Sequence, residues 1–287
     1  MKPYRIHQLA KKYVDYDMIQ KHTELPEFPD TRVRLLYTFL NKESTSSNGE
    51  IYALATSLVQ IALDTHDMID IDTTQQGERE MRSRQLKVLA GDYLSSRFYQ
   101  ILSQNEHIEI VSLLSSAICE VNRMKMNLYH KMKHLLLTGE EYLRECVQLR
   151  MQLFISFTPL LDRVDHALWN NLLHELTNLE VVAHEMKSSS SAAAVSRGYA
   201  FWHILEAGNA DEREAIKQSN LDANHWKKML VKYSVTDQLM EKLRQSVSRV
   251  QHILQDLSSD KLLRELDAIV EPFVSLLKVN SPALKEG

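Results

Sequence analysis

Glycine and proline are scarce, 7 and 6 among 287 residues, where average usage would supply roughly 20 and 14. Sheet proteins and doubly wound folds spend these residues on their many turns, so the shortage points to helices joined by short connections. Cysteine is nearly absent. Cys119 and Cys146 stand 27 positions apart, which is no metal-ligand spacing, and they are expected to be buried free thiols in a reducing compartment. No uninterrupted apolar run reaches the ~18 residues of a membrane span. The first twenty residues, Met1–Gln20, carry Lys, Arg, His and Asp instead of the apolar core of a signal peptide, and a cytoplasmic location is expected. A basic excess is also lacking: net charge is −4 and the sequence pI is near 6.3, which argues against a nucleic-acid partner. Neither a phosphate-cradling Gly-rich loop nor a Rossmann fingerprint nor a nucleophile–base pair can be found.

What is present is helical periodicity. Hydrophobic residues make up 44% and charged residues 25%, a globular composition. Residues 3–22 place Ile6, Leu9, Tyr13, Tyr16 and Ile19 on one face. A helix over about Asp30–Asn41 repeats Val33, Leu36, Tyr37 and Leu40 at i, i+3, i+4 and i+7, and Lys42–Glu50 reads as a polar loop. Ile108–Leu136 runs without Gly or Pro, and Thr138-Gly139-Glu140-Glu141 reads as a helix stop followed by a new start. Helical patterns continue over Glu140–Phe157 and Asp162–His184. Residues 188–194 form a low-complexity Ser/Ala loop. Tyr199–Leu277 gives three or four shorter helices, with Pro272 inside or at the end of the last, and residues 280–287 read as a disordered tail. The expected fold is all-α, a single-domain bundle of about ten helices. Trp169, Trp202 and Trp226 read as helix-packing residues.

The most informative stretch is Ile51–Gln100. An apolar helix runs into a cluster of Asp and His, and a polar turn around Gly77 follows. A basic loop and then a second apolar helix opening at Gly91-Asp92 are read next, with helical pattern over about Arg82–Leu102. At about 100° per residue, Asp64, Asp67 and Asp70 share an arc of about 120°, with His66 just outside it. Carboxylates grouped in this way repel one another, and hard oxygen ligands suit Mg²⁺; a solvated acidic face is the plainer reading.

The residues Val88-Leu89-Ala90-Gly91-Asp92-Tyr93-Leu94, following that cluster, resemble the first signature region of the trans-isoprenyl diphosphate synthases. There a helix ends in Asp-Asp-x-x-Asp, a basic pair follows, and the next helix carries Leu-x-Gly-Asp-Tyr/Phe-Leu. Glu141-Tyr142-Leu143 through Leu149-Arg150-Met151-Gln152-Leu153-Phe154 resembles the later helix in which Lys-Thr precedes Leu-Phe. Four departures stand out. The first Asp-rich motif reads His66-Asp67-Met68-Ile69-Asp70; the arginine pair is reduced to Arg79, Arg82 and Arg84; Lys-Thr is Arg150-Met151; and the second Asp-rich motif is replaced by Val181-Val182-Ala183-His184-Glu185-Met186-Lys187.

The synthases that this chain resembles ionise an allylic diphosphate with Mg²⁺ ions held between two facing Asp-rich motifs. The resemblance thus implies that a chain without the second motif does not ionise it at a useful rate. A fold can outlive its site. The resemblance therefore narrows to the small, non-catalytic subunits of the heterodimeric medium- and long-chain synthases of bacteria, of the heptaprenyl diphosphate synthase component I kind. It implies an isoprenoid-synthase-like fold and a partner, the catalytic component II, which would hold the Mg²⁺ and both substrates. This chain would bind no cofactor, be inactive alone, meet the growing polyprenyl chain, and help set product length in menaquinone side-chain synthesis. His66, Asp67, Asp70, Arg82, Arg84, Asp92 and Arg150 are the positions the resemblance marks for diphosphate, whether as contacts or as relics, with no metal ligand and no catalytic residue among them. Three readings stay open beside it: a synthase competent on its own through His66, Asp67 and Asp70; a metal phosphohydrolase built on His66-Asp67 with a further His such as His22; and a helical interaction protein unrelated to prenyl transfer.

Overall fold

The computed structural model describes residues 3–42, 48–69, 77–189, 198–218, 222–257 and 259–280. Among them there are α-helices, short 3₁₀ turns and connections but no strand, as the shortage of Gly and Pro predicts. Among the described residues thirteen α-helices are found, a little above the ten expected. The surplus comes from two places. The segment 3–22 breaks at Asp15-Tyr16 into α1 (Ile6–Val14) and α2 (Asp17–His22), because Tyr16 is extended. The stretch after Gly198 gives five helices: α9 (Tyr199–Ala207), α10 (Ala210–Lys217), α11 (Ala223–Lys232), α12 (Val235–Gln255) and α13 (Asp260–Asn280). Most of the 188–194 loop and of the expected tail lie outside the described residues; within them, Ser188 and Ser189 are the last residues of a helix and Asn280 closes α13.

The chain groups into two compact units, Met1–Cys119 with Leu153–His166, and Glu120–Gln152 with Ala167–Gly287. The first is organised around α4 (Gly49–Asp67), in which every residue from Ala53 to Leu63 is buried. A helix buried on all sides is a core helix rather than an amphipathic one. It packs along α5 (Glu78–Gln104) and against α3 (Asp30–Leu40) and α1. Its buried hydroxyls are satisfied inside the helix: Thr56 donates to the Tyr52 carbonyl, Ser57 to Leu54 and Thr65 to Ile61. Arg32 of α3, only 3% exposed, donates from Nη1 to Gln60 Oε1 at 3.2 Å and lies over the Phe154 ring at 5.0 Å. Gln60 in turn donates to Asp64 Oδ1 at 2.8 Å.

The second unit contains most of α8 (His166–Ser189), which buries Trp169, Leu172, Leu173, Leu176, Leu179 and Val182 at helical spacing. Trp202 and Trp226 are also buried, and the Trp226 indole N–H donates to the Ser189 carbonyl at 3.1 Å. The expected start at Thr138 is a reciprocal cap opening α7 (Gly139–Ile155). Glu141 N–H donates to Thr138 Oγ1 at 3.2 Å, and Thr138 N–H donates to Glu141 Oε2 at 2.9 Å.

A second reciprocal cap, Asn209 with Glu212, opens α10. Glu212 also accepts from Lys232 Nζ at 2.6 Å and from the Tyr233 hydroxyl at 2.5 Å. These bonds, Lys232 first, draw its carboxyl down to about 2. A depressed acid contributes stability above its unfolded pKa of about 4.3 and loses it as the pH falls through the folded value. Glu212→Gln is therefore expected to lower the melting temperature at neutral pH, with the gap to the parent closing between about pH 4 and about pH 2. Thermal melts across that range would show it; a gap independent of pH would contradict it.

Candidate functional site

The Asp/His cluster sits at the C-terminal turn of α4. Asp64 is committed to Gln60, and Asp67 is exposed at the helix end. The Met68 carbonyl just beyond accepts from Lys87 Nζ of α5 at 3.0 Å, a cation placed where a helix end carries partial negative charge. His66 is half-buried, with Nε2 3.6 Å from Asp92 Oδ1.

Gly91 explains how the imidazole fits there. Rather than opening a helix it lies in the interior of α5, where glycine costs about 1 kcal/mol relative to alanine. A Cβ at this position would stand 2.5 Å from His66 Nε2. The Gly-Asp pair of the signature thus makes room for the His66 ring and supplies its acidic neighbour. Because the ring is partly exposed it can swing outward. Gly91→Ala is expected to displace His66 while changing stability by less than about 1 kcal/mol, the helix-propensity gain offsetting a weak surface contact. Urea denaturation and the His66 imidazole resonance check this; a loss above about 2 kcal/mol would show that the ring cannot move.

Arg82 is exposed and bonds Glu78 Oε1 at 2.8 Å, one turn away on its own helix. Arg84 is half-buried on α5. Asp70 lies outside the described residues. Arg150 belongs to the second unit, on α7 near Cys146. Burial dominates that thiol and pushes it up to about 11, against the opposing pull of the Tyr142 hydrogen bond and of Arg150. The expectation of two buried thiols is corrected: Cys119 is exposed and Cys146 half-buried. Burial was expected from the general tendency of free cysteines to lie inside, whereas Cys119 takes an outward position on its helix.

At the place of the second Asp-rich motif, α8 buries Val181 and Val182. Glu185, 5% exposed, accepts the Tyr199 N–H at 2.8 Å and the Tyr142 hydroxyl at 3.2 Å. Burial first, then Cys146 and Glu185, drive the Tyr142 hydroxyl far above its ordinary range. Sequence reasoning passed over Glu185. The available signal was its spacing three residues beyond Val182, on the face that α8 turns to the core.

In the first unit a cavity of about 560 Å³ lies beside the N-terminal end of α4, away from the Asp/His cluster. Lys42 Nζ there bonds both oxygens of Asp165, at 2.5 and 2.7 Å, and the Tyr52 hydroxyl faces His107 Nδ1 at 3.3 Å. None of the marked residues lines it.

The described part of the donor set offers no Mg²⁺ clamp by itself. Among the described residues no three His, Cys, Asp or Glu side chains are grouped to hold a metal ion. Asp64 and Asp92 already have Gln60 and His66 as neighbours, and imidazole is a poor exchange for a hard carboxylate ligand.

A family model described as heptaprenyl diphosphate synthase (HEPPP synthase) subunit 1 matches residues 16–229. The chain belongs to this family. Heptaprenyl diphosphate synthase component 1 of Geobacillus stearothermophilus is 38% identical over 85 residues, which are 30% of this chain and 36% of that protein. The matched segment thus spans little more than a third of that relative. Solved structures show the same fold. A decaprenyl diphosphate synthase from Rhodobacter capsulatus has a TM-score of 0.67 at 13% identity, covering 95% of each chain. A heptaprenyl diphosphate synthase from Staphylococcus aureus has 0.66 at 13%, covering 94% of this chain and 96% of that one. A geranylgeranyl pyrophosphate synthetase from Pyrococcus horikoshii has 0.67 at 16%, covering 94% and 97%. The all-α, isoprenoid-synthase-like fold is therefore established, and the subunit 1 family with it.

Proposed function

We propose that this chain is the non-catalytic subunit of a heterodimeric heptaprenyl diphosphate synthase and acts with a separate catalytic component of the component II kind. The observation that carries the reading is the state of the second motif region. Val181 and Val182 are core residues, and the one carboxylate there, Glu185, is consumed by Tyr142 and by the first N–H of α9. Within the stretch 181–187 Glu185 is the sole carboxylate, and both of its oxygens are taken. In this reading His66, Asp67, Asp70, Arg82, Arg84, Asp92 and Arg150 are vestiges of a diphosphate site. The catalytic partner holds the Mg²⁺, and the complex supplies the heptaprenyl chain of menaquinone in the cytoplasm. No described helix is long and apolar enough to cross a membrane.

The partner needs a docking face. The part of α6 (Ile108–Lys133) that belongs to the second unit carries Met126, 73% exposed, and Tyr129, 61% exposed, one turn apart. Aromatic and Met side chains are enriched at interface cores.

The deciding experiment is prenyl transfer by this chain alone, by the catalytic component alone, and by the two mixed. The mixture is expected to exceed either alone by at least about a hundredfold, the scale on which a single electrostatic stabiliser acts. Turnover by this chain alone would overturn the accessory role. A mixture no faster than the catalytic component alone would leave only the fold and the family.

A further inference from the structure

The C-terminal turn of α6 carries two histidines four residues apart, His130 and His134. Of the 12 histidines in the chain no other two have that spacing. Residues at i and i+4 lie one above the other on a helix face. The way the helix ends holds them there. His134 N–H donates to the His130 carbonyl at 3.1 Å, Leu135 N–H to that of Met132 at 3.3 Å, and Leu136 N–H to that of Lys131 at 2.9 Å. Such a closure needs a left-handed residue just past the helix, a place usually given to glycine. Leu135 fills it, with φ 53°. Leucine is strained in that region and keeps the conformation only where its neighbours enforce it. Here Leu137 is buried just beyond, and Thr138 caps α7, so the turn is pinned on its far side too.

Both imidazoles are exposed. Their ring centroids are 4.5 Å apart and the planes are tilted by 52°. Among the described residues neither ring is engaged in a hydrogen bond or an ion pair. We infer that His130 and His134 form a chelating site for a divalent transition-metal ion of the zinc, nickel or copper type.

The donor chemistry selects that class. Imidazole nitrogen suits Zn²⁺, Ni²⁺ and Cu²⁺, whereas Mg²⁺ and Ca²⁺ take oxygen ligands. Two histidines at i and i+4 on one helix face can reach a single ion, as both histidines of a His-Glu-x-x-His helix do with zinc. The end of the helix adds partial negative charge beside the ion. Two lysines flank the pair and oppose a cation. Lys131 is spent on Glu145 of α7, with Nζ 2.6 Å from Oε1. Lys133 is exposed, and its flexible stem lets the ammonium turn into water. Two protein ligands leave coordination positions to water or to a ligand from outside the chain. The inference does not rest on the accessory role, and the site is separate from the Mg²⁺ assigned to the catalytic partner.

The test follows the imidazole resonances of the full chain during titration with Zn²⁺, Ni²⁺ and Cu²⁺, with Mg²⁺ as the control. Zn²⁺ should shift the His130 and His134 signals together, and Ni²⁺ and Cu²⁺ should broaden them together, before those of the other histidines respond. Cu²⁺ should bind more tightly than Ni²⁺ or Zn²⁺, and Mg²⁺ should leave both signals in place. His130→Gln and His134→Gln each change an exposed side chain, so the fold is retained. Losing a group that merely orients a metal ligand costs about 10–100-fold in affinity, so losing a ligand itself should cost at least about tenfold. The mark of a chelate is coupling between the two positions. Removing either ring should weaken the response of the ring that remains. A remaining ring that titrates as it does in the parent would overturn the site, as would rings that respond separately in the parent or signals unmoved by all three ions at millimolar concentration.

Discussion

Glu185→Ala is expected to lower folding stability by about 2–4 kcal/mol, the range for leaving buried donors without an acceptor. The carboxylate serves two of them. The Tyr199 N–H is the first of α9, one of the orphan donors at any helix start, and Glu185 Oε2 takes it at 2.8 Å. The Tyr142 hydroxyl is held at 3.2 Å by the other oxygen. The approach is close: a Cβ on Gly198 would lie 2.7 Å from Glu185 Oε2. Alanine removes both acceptors and leaves a void. Glu185→Gln keeps one carbonyl oxygen and the volume, so its cost should be at most about half that of alanine. Urea denaturation of the parent and both variants measures this. A loss below about 1 kcal/mol for alanine would mean that water reaches Tyr199 and Tyr142. The pair also bears on function. If Glu185 is structural, Glu185→Gln should support prenyl transfer in the two-component mixture almost as well as the parent. A carboxylate serving as a metal ligand would not survive loss of its charge.

The contrast between Glu185 and the α4 cluster shows which parts of the molecule can be read from the chain. Helices were legible because Gly and Pro are rare and the 3.6-residue period is strong, so α3, α4 and α7 begin and end close to where their patterns do. The break between α1 and α2 was not, since it follows from the extended backbone of one residue, Tyr16, inside a continuous amphipathic pattern. The arc shared by Asp64, Asp67 and Asp70 was legible as helical geometry. The relief of its repulsion was not, because Asp64 is satisfied by Gln60, which also serves Arg32 from a different helix. Likewise Gly91 could be recognised as part of a signature, while its reason, the imidazole of His66 lying against it, depends on the packing of α5 on α4. Local pattern gives the elements. Partners distant in sequence decide whether a polar residue is a ligand or a strut.

Placing carboxylates on α6, with Met126→Glu and Tyr129→Glu together, is expected to abolish most of the partner-dependent activity while leaving the fold intact. Both side chains are more than half exposed, so the free chain should lose no more than about 0.5 kcal/mol per site. At an interface the same change removes two large contacts and buries two charges without counterions. Hot-spot residues cost at least about 2 kcal/mol each, so the apparent affinity for the catalytic component should fall by at least about a hundredfold. The readout is a titration of the catalytic component against each variant, since a weakened interface raises the concentration needed for half-maximal activity before it lowers the plateau. Val231→Glu is the control, an equally exposed apolar residue standing alone on α11, for which no shift is expected. If the double variant titrates like the parent, the partner docks elsewhere and the accessory role still stands. If the parent itself gives no stimulation, that role fails whatever the variants do.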